Sequence, residues 1–194
     1  MCPNPSHLES VNAVALGEAR AKQRLKNGNQ NAVIPILIHG DMAISGQGVV
    51  YESLQLSKLS GYTVGGTIHI VINNQIGFTA SPKDSRSTKF CTDIAKAFGF
   101  PVFHVNSEDV ESSVCAALCA LELRNTLHTD VFINLNCYRK YGHNESDEPA
   151  FTQPLQYEVI RKKKSIRELF YERLLKEGAI DRAQIEDEYR QASH

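Results

Sequence analysis

The sequence predicts an α/β fold: a mostly parallel sheet with helices on both faces, followed by a helical C-terminal extension. Two observations carry this. Four short apolar runs, at residues 33–38, 67–72, 101–105 and 131–135, alternate with segments of helical texture, and such alternation implies a parallel sheet covered on both sides. From Leu155 onward the chain becomes charged and helical in pattern, as amphipathic surface helices do.

The elements follow in order. A helix over 14–25 precedes the turn-rich segment KNGNQN, whose asparagines and glycine favour chain reversal. The first two apolar runs end in HGD and NNQIG; both read as buried strands, because a strand covered on both faces is almost continuously apolar. Helix-like stretches at 51–59, 92–98 and Val110–Leu127 lie between the strands. After Tyr138 the segment YRKYGHNESDEPAFTQP reads as a long surface loop of the kind that often carries function. Helices around RKKKS, RELFYERLLKEG and DRAQIEDEYRQ complete the chain. These readings divide it into a lead-in segment (1–30), an α/β domain (31–157) and a helical extension (158–194). At 194 residues one domain with a sizeable core is expected, since about 150 residues already bury roughly two-thirds of their unfolded surface.

Composition removes several function classes. A formal net charge of −1 gives no electrostatic pull toward nucleic acid or an anionic membrane. The run Lys162, Lys163 and Lys164 reads as a solvated helix face, because no aromatic residues interleave with it. No apolar run approaches the roughly 20 residues that span a bilayer, and MCPNPSHLES lacks the features of a signal peptide; the expected location is the cytosol or an organelle matrix. Five cysteines, Cys2, Cys91, Cys115, Cys119 and Cys137, are odd in number and lack CxxC spacing, so neither a disulfide framework nor a zinc site is expected. Cys115 and Cys119 share a helical face and read as small buried apolar residues.

The residues that could carry chemistry stand at strand ends. In open parallel sheets ligands bind at the carboxyl ends of strands, and Asp41 and Asn74 follow the first two strands, one strand-helix-strand unit apart. A carboxylate and an amide oxygen are hard ligands suited to Mg²⁺, which fills the rest of its octahedron with phosphate oxygens and water. Gly40, Gly46 and Gly48 would let backbone approach a diphosphate, and the next helix would offer its free N–H groups. The same residues also fit simpler roles, an N-cap for Asp41 and a turn for the paired asparagines. A nucleotide fold is excluded by detail: GQGVVY lacks the third glycine of the dinucleotide fingerprint, and no GxxxxGK[ST] occurs.

The stretches HGDMAISGQGVVYESLQLSKLSGYTVGGTIHIVINNQIGFTASPKDSRSTKFCTDIAK, FHVNSEDVES and CYRKYGHNESDEPAFTQPLQY resemble the thiamine diphosphate domain of 2-oxoglutarate dehydrogenase first components, and NPSHLES resembles the segment preceding it. The resemblance runs from about Asn4 to Tyr157. It implies the thiamine diphosphate-binding fold, with thiamine diphosphate and Mg²⁺ as cofactors. It also implies that Asp41, Asn74 and the backbone oxygen of Ile76 ligate the metal, and that His143 contacts the diphosphate from a loop that closes over the cofactor. Without the cofactor that loop is expected to lie beside the same strand-end edge or to be disordered, disorder being preferred. One departure stands beside the aspartate: Met42 occupies a position where the family has alanine.

Other residues admit plainer readings. His39 could orient Asp41 or line the pocket, or be a packed strand-end histidine. The resemblance implies that Ser6 and His7 could reach the active site, but a helix start is the simpler reading, with Ser6 as N-cap and Glu9 completing a capping box. Arg86 could bind an anion, but a salt bridge anchoring its loop is preferred. His69 and His104 read as satisfied core or pocket-wall histidines.

The resemblance further implies a parent enzyme that decarboxylates 2-oxoglutarate and passes the succinyl unit to a lipoyl group on a dihydrolipoyl succinyltransferase in the tricarboxylic acid cycle. Its activating glutamate would come from a separate pyrimidine-binding domain across a homodimer interface. That domain, and so any catalytic residue, is not found in this sequence, which would supply only the anchoring half of the active site. The parent would be cytoplasmic in a bacterium and in the mitochondrial matrix in a eukaryote. The alternatives are a non-catalytic cofactor-binding module and a scaffold fragment without ligand; 2-oxoadipate is the alternative substrate.

Overall fold

The structure is a computed structural model and describes residues 1–4, 6–181 and 185. Its elements run α1 (Val11–Leu25), β1 (Ile36–Gly40), α2 (Asp41–Gly46), α3 (Gly48–Leu56), β2 (Ile68–Asn73), α4 (Pro82–Ser85), a 3₁₀ helix (Asp93–Phe98), β3 (Val102–Asn106), α5 (Val110–Leu127), β4 (Val131–Asn136), a 3₁₀ turn (Pro149–Phe151), α6 (Pro154–Lys162) and α7 (Ile166–Glu177). The helix expected around DRAQIEDEYRQ lies almost wholly outside the described residues.

The four strands form one all-parallel sheet in the order β1-β2-β4-β3. Alternate residues along β2 and β4 supply two separate apolar clusters, as the two-residue period of a strand requires. Val71 and Phe132 join Ile44, Val50, Leu54, Ala95 and Phe100 under α2, α3 and the 3₁₀ helix. Ile68, Val131 and Ile133 join Ala116 and Ala120 of α5. Helices therefore cover both faces, as expected.

Three expectations need correction. The first strand begins three residues later than its apolar run and is not buried on both sides: Ile36 and Ile38 are 57% and 71% exposed. β1 is an edge strand, and α5 packs on β2, β3 and β4. The helix placed at 51–59 is α3, which starts three residues earlier and ends at Leu56, and a further short helix, α2, precedes it across the extended residue Gln47. On α5 the face against the sheet is Ala116, Ala120 and Arg124, so Cys115 is exposed and Cys119 half-buried.

Arg124 has no solvent exposure and fastens α5 to turns at the amino edge of the sheet. Its guanidinium donates to the carbonyls of Gly66 (3.0 Å), Gln30 (2.7 Å) and Val64 (2.8 Å) and to Asn31 Oδ1 (2.8 Å). Gly66 can serve there because it sits at φ +90° and a Cβ would overlap the Thr129 carbonyl, a conformation and a closeness open to glycine alone.

Candidate cofactor and metal site

Strand register brings the expected pair to one edge. Gly40 stands opposite Ile72 in the parallel ladder, so Asp41 and Asn74 both leave the carboxyl ends of neighbouring strands. Asp41 opens α2 and is 2% exposed. Its carboxylate has one ion-pair partner, Arg86 Nη1, at 3.4 Å. Burial pushes the Asp41 carboxyl above its usual range, against the opposing pull of Arg86. A carboxylate so enclosed and so weakly matched is the group to which a divalent cation adds most.

The second and third candidates share one turn. Asn74 Oδ1 accepts the Ile76 N–H at 3.3 Å, an Asx-type turn with Gln75 at φ 63°. Gln75 Nε2 donates to the Cys137 carbonyl at 3.1 Å, tying the turn to the end of β4. Ile76 is buried against Tyr157 and Ile160 of α6, which fixes the backbone that would present its carbonyl. Met42 lies over the next residue: a Cβ on Gly77 would overlap Met42 Cγ and come within 3.0 Å of Met42 Cβ. The thioether that departs from the resembled pattern thus occupies space left open by glycine.

His143 is exposed, and its ring stands edge-on to Phe78 at 5.2 Å. Since Phe78 follows Gly77, the loop reaches the same edge. It is not the disordered segment expected in the absence of cofactor. Arg139 Nη2 donates to the Phe78 carbonyl at 3.0 Å, and Asp147 accepts from the His143 N–H at 2.8 Å, so protein groups hold it. Beside it a cleft of about 1130 Å³ opens between the loop and α6 and α7, lined by Tyr138, Lys140 and Tyr157 and by none of the three metal candidates.

Sequence reasoning missed Asn73, Asn136 and Arg139. Asn73 Nδ2 donates to Asn136 Oδ1 at 3.0 Å, whereas Asn73 Oδ1, Arg86 Nε and Arg139 Nε are buried without a hydrogen-bond partner. Unpaired buried polar atoms are costly, and here they gather around the carboxyl edge. Asn73 adjoins Asn74 in the sequence, and Arg139 adjoins the loop motif; nothing else marks them. Among the described residues no group of three or more His, Cys, Asp or Glu could hold a metal, so a cation here would lean on an anionic ligand. Cβ atoms added to Gly40, Gly46 or Gly48 would meet nothing within 4 Å, leaving room for one. These residues fit Mg²⁺ with a diphosphate. Cys91 and Cys137 offer no nucleophile: burial pushes both thiols up to about 11, with Arg86 opposing it at Cys91 and Asp41 adding to it at Cys137.

His39 and His69 are packed inside the fold. His39 is buried, its Nδ1 2.6 Å from Glu9 Oε2 and its Nε2 3.0 Å from His69 Nδ1; His69 Nε2 stands 3.4 Å from Asp130 Oδ2. His39 is therefore a packed strand-end histidine. The capping box at Ser6 does not form: α1 starts at Val11, and Glu9 spends its carboxylate on His39 and Asn12. His104 accepts from Asn134 at 2.9 Å but is exposed. Arg86 joins its loop to Asp41 through the salt bridge expected of it.

A buried carboxylate and an amide oxygen at the carboxyl ends of neighbouring parallel strands stand where ligands bind in open α/β sheets. Residues 2–194 match the family model of the dehydrogenase E1 component, and the chain belongs to that family. It is 50% identical over 182 residues to the mitochondrial 2-oxoglutarate dehydrogenase of Dictyostelium discoideum, covering 93% of this chain and 18% of that protein. It is 49% identical over 194 residues to the 2-oxoglutarate dehydrogenase E1 component of Haemophilus influenzae (97% and 21%). Identity is 50% over 191 residues to the multifunctional 2-oxoglutarate metabolism enzyme of Mycolicibacterium vanbaalenii (96% and 15%). The chain thus spans about a fifth or less of these relatives.

Proposed function

We propose that this chain is the diphosphate- and Mg²⁺-anchoring part of a thiamine diphosphate-dependent 2-oxoglutarate dehydrogenase first component. The carrying observation is Asp41, buried at the carboxyl edge with a single ion-pair partner at 3.4 Å, in a chain about half identical to proteins named for 2-oxoglutarate. Asp41, Asn74 and the Ile76 carbonyl would ligate Mg²⁺. His143 would contact the diphosphate from its loop.

When bound, thiamine diphosphate supplies the electron sink for loss of carbon dioxide from a 2-oxo acid. The share of these 194 residues is to hold and orient. Asp41 and Asn74 set the cation's place, the Ile76 turn fixes a third oxygen, and the loop with Arg139 and His143 shields that edge from water. The pyrimidine-binding domain, the homodimer and the succinyltransferase partner belong to the proposed parent, in which this chain contributes no catalytic residue.

The test is calorimetric titration of the chain with thiamine diphosphate in the presence of Mg²⁺. Heat of binding that requires Mg²⁺ and disappears in Asp41→Ala is expected. Binding indifferent to both would overturn the assignment.

A further inference from the structure

We propose that Arg86 is a further diphosphate-binding residue, and that its pairing with Asp41 makes divalent cation and diphosphate bind together rather than independently. The proposal rests on the reading of Asp41 as the metal carboxylate.

The geometry is specific. Arg86 follows α4 on the loop SPKDSRST, and its side chain is only 9% exposed. Nη1 lies 3.4 Å from Asp41 Oδ2, at the long limit of a charge-assisted contact, whose usual length is about 2.7–2.9 Å. Nε is sealed from solvent and has no hydrogen-bond partner among the described residues. A guanidinium presents five donors in a fixed fork and stays charged when buried. Arg86 therefore carries unspent donor capacity beside the one acidic group it touches. The same residue lines a cleft of about 430 Å³ with Ser45, Lys83, Asp84, Ser85, Ser87 and Thr88; the hydroxyls and Lys83 suit phosphate oxygens, and the Asp84 carboxylate is engaged by the Ser81 hydroxyl at 2.6 Å.

Charge balance supplies the coupling. In the cation-free chain the guanidinium occupies the coordination space of Asp41. A lone divalent cation would have to share one carboxylate with that guanidinium, and two positive groups on a single buried anion repel. A diphosphate would remove the conflict: it would offset the added positive charge, and Arg86, whose Nε–H lacks an acceptor, would donate to it. Each ligand then raises the affinity of the other by the same factor, as linkage requires.

The test follows Mn²⁺ binding to the purified chain by electron paramagnetic resonance, with and without inorganic pyrophosphate. In the native chain pyrophosphate should tighten Mn²⁺ binding by roughly tenfold or more, within the usual range of coupling between sites. Arg86→Gln should move the two measurements in opposite directions: Mn²⁺ alone binds several-fold tighter, and most of the pyrophosphate enhancement is lost. Arg86→Lys, which keeps the charge without the fork, should restore part of the enhancement. A circular dichroism spectrum matching native accompanies each variant. Equal weakening of both measurements in a folded Arg86→Gln chain, or no change in either, overturns the proposal. Asp41→Ala separates the two levels: loss of Mn²⁺ binding there with no effect of Arg86→Gln sinks the role of Arg86 alone, whereas unchanged binding sinks the metal reading and this proposal with it.

Discussion

Glu9 Oε2 stands 2.6 Å from His39 Nδ1, joining two residues 30 positions apart, and Glu9 takes a left-handed backbone at φ 67° to place its carboxylate there. The contact fastens the segment before α1 to the strand that carries Asp41. From Glu9 the buried chain continues through His39 and His69 to Asp130, crossing from β1 to the turn that opens β4. Acid should therefore loosen the fold.

The sign follows from each group. Burial alone would raise the Glu9 carboxyl, but the hydrogen bond from His39 and that from Asn12 outweigh it and hold the group below its usual range. Its contribution is present above the unfolded value, about 4.3, and is lost as pH falls through the lower folded value. Burial pushes the His69 ring below its usual range, against the pull of Asp130. Below about pH 6.5 the unfolded chain thus binds more protons at this position, and stability falls. Thermal unfolding at pH 7.5, 6, 5 and about 3.5 should give a midpoint that drops at each step. His69→Gln should flatten the drop between pH 7.5 and 5, and Glu9→Gln the part below pH 5; a midpoint independent of pH over this whole range refutes both assignments.

Met42 and Gly77 form a pair that can be broken from either side. A Cβ on Gly77 overlaps Met42 Cγ, so Gly77→Ala should cost about 1–3 kcal/mol, the usual penalty of overpacking. Met42→Ala alone should cost little, and Met42→Ala in the Gly77→Ala background should recover most of the loss. A double-mutant cycle in urea measures the coupling, and strict additivity would show that the two side chains do not compete for this space.

The sheet was legible in the sequence because its strands are dense in β-branched and apolar residues, and β2, β3 and β4 each begin within one residue of their runs. Val110–Leu127 forms α5 to the residue, between the Asp109 cap, which accepts from the Ser112 N–H, and the left-handed His128. Asp41 and Asn74 could be found because strand ends are fixed by periodicity. Their partners could not. Arg86 lies 45 residues from Asp41, and a buried ion pair leaves no local pattern. The open face of β1 was unreadable for a like reason: strand order decides which strand lies at an edge, and the apolar run is the same in either place.

Arg124 tests how much an unrecognised residue can carry. In Arg124→Met the carbonyls of Gly66, Gln30 and Val64 lose the guanidinium together; those of Gln30 and Val64 keep Gln23 Nε2 as a donor, and the Gly66 carbonyl is left to water. Charge-assisted hydrogen bonds contribute about 1.5–3 kcal/mol each, and a buried acceptor left unpaired costs its desolvation. A loss of about 3–5 kcal/mol is expected after partial rehydration of the turns. Urea denaturation is the measurement, and a loss under about 1 kcal/mol would mean that water replaces the guanidinium at these turns.

Asn74 offers a test of the metal site by substitution in two directions. Its Oδ1 accepts from the Ile76 N–H at 3.3 Å, so one oxygen both shapes the turn and, in the proposed site, faces the cation. Asn74→Ala removes both roles. Asn74→Asp keeps the acceptor and adds a negative charge close to Asp41, whose carboxyl burial already raises. Without metal the two carboxylates repel, and Asn74→Asp should unfold at a lower temperature than the native chain at neutral pH. With Mg²⁺ and inorganic pyrophosphate the order should change, because an added carboxylate strengthens a hard-cation site. At ligand near 100 times its dissociation constant, binding stabilises by about 2.7 kcal/mol, which for a chain of this size raises the midpoint by roughly 5–10 °C. That rise should be present in the native chain, larger in Asn74→Asp and absent in Asn74→Ala. Equal rises in all three would place the cation away from Asn74, and with it from the turn that presents the Ile76 carbonyl.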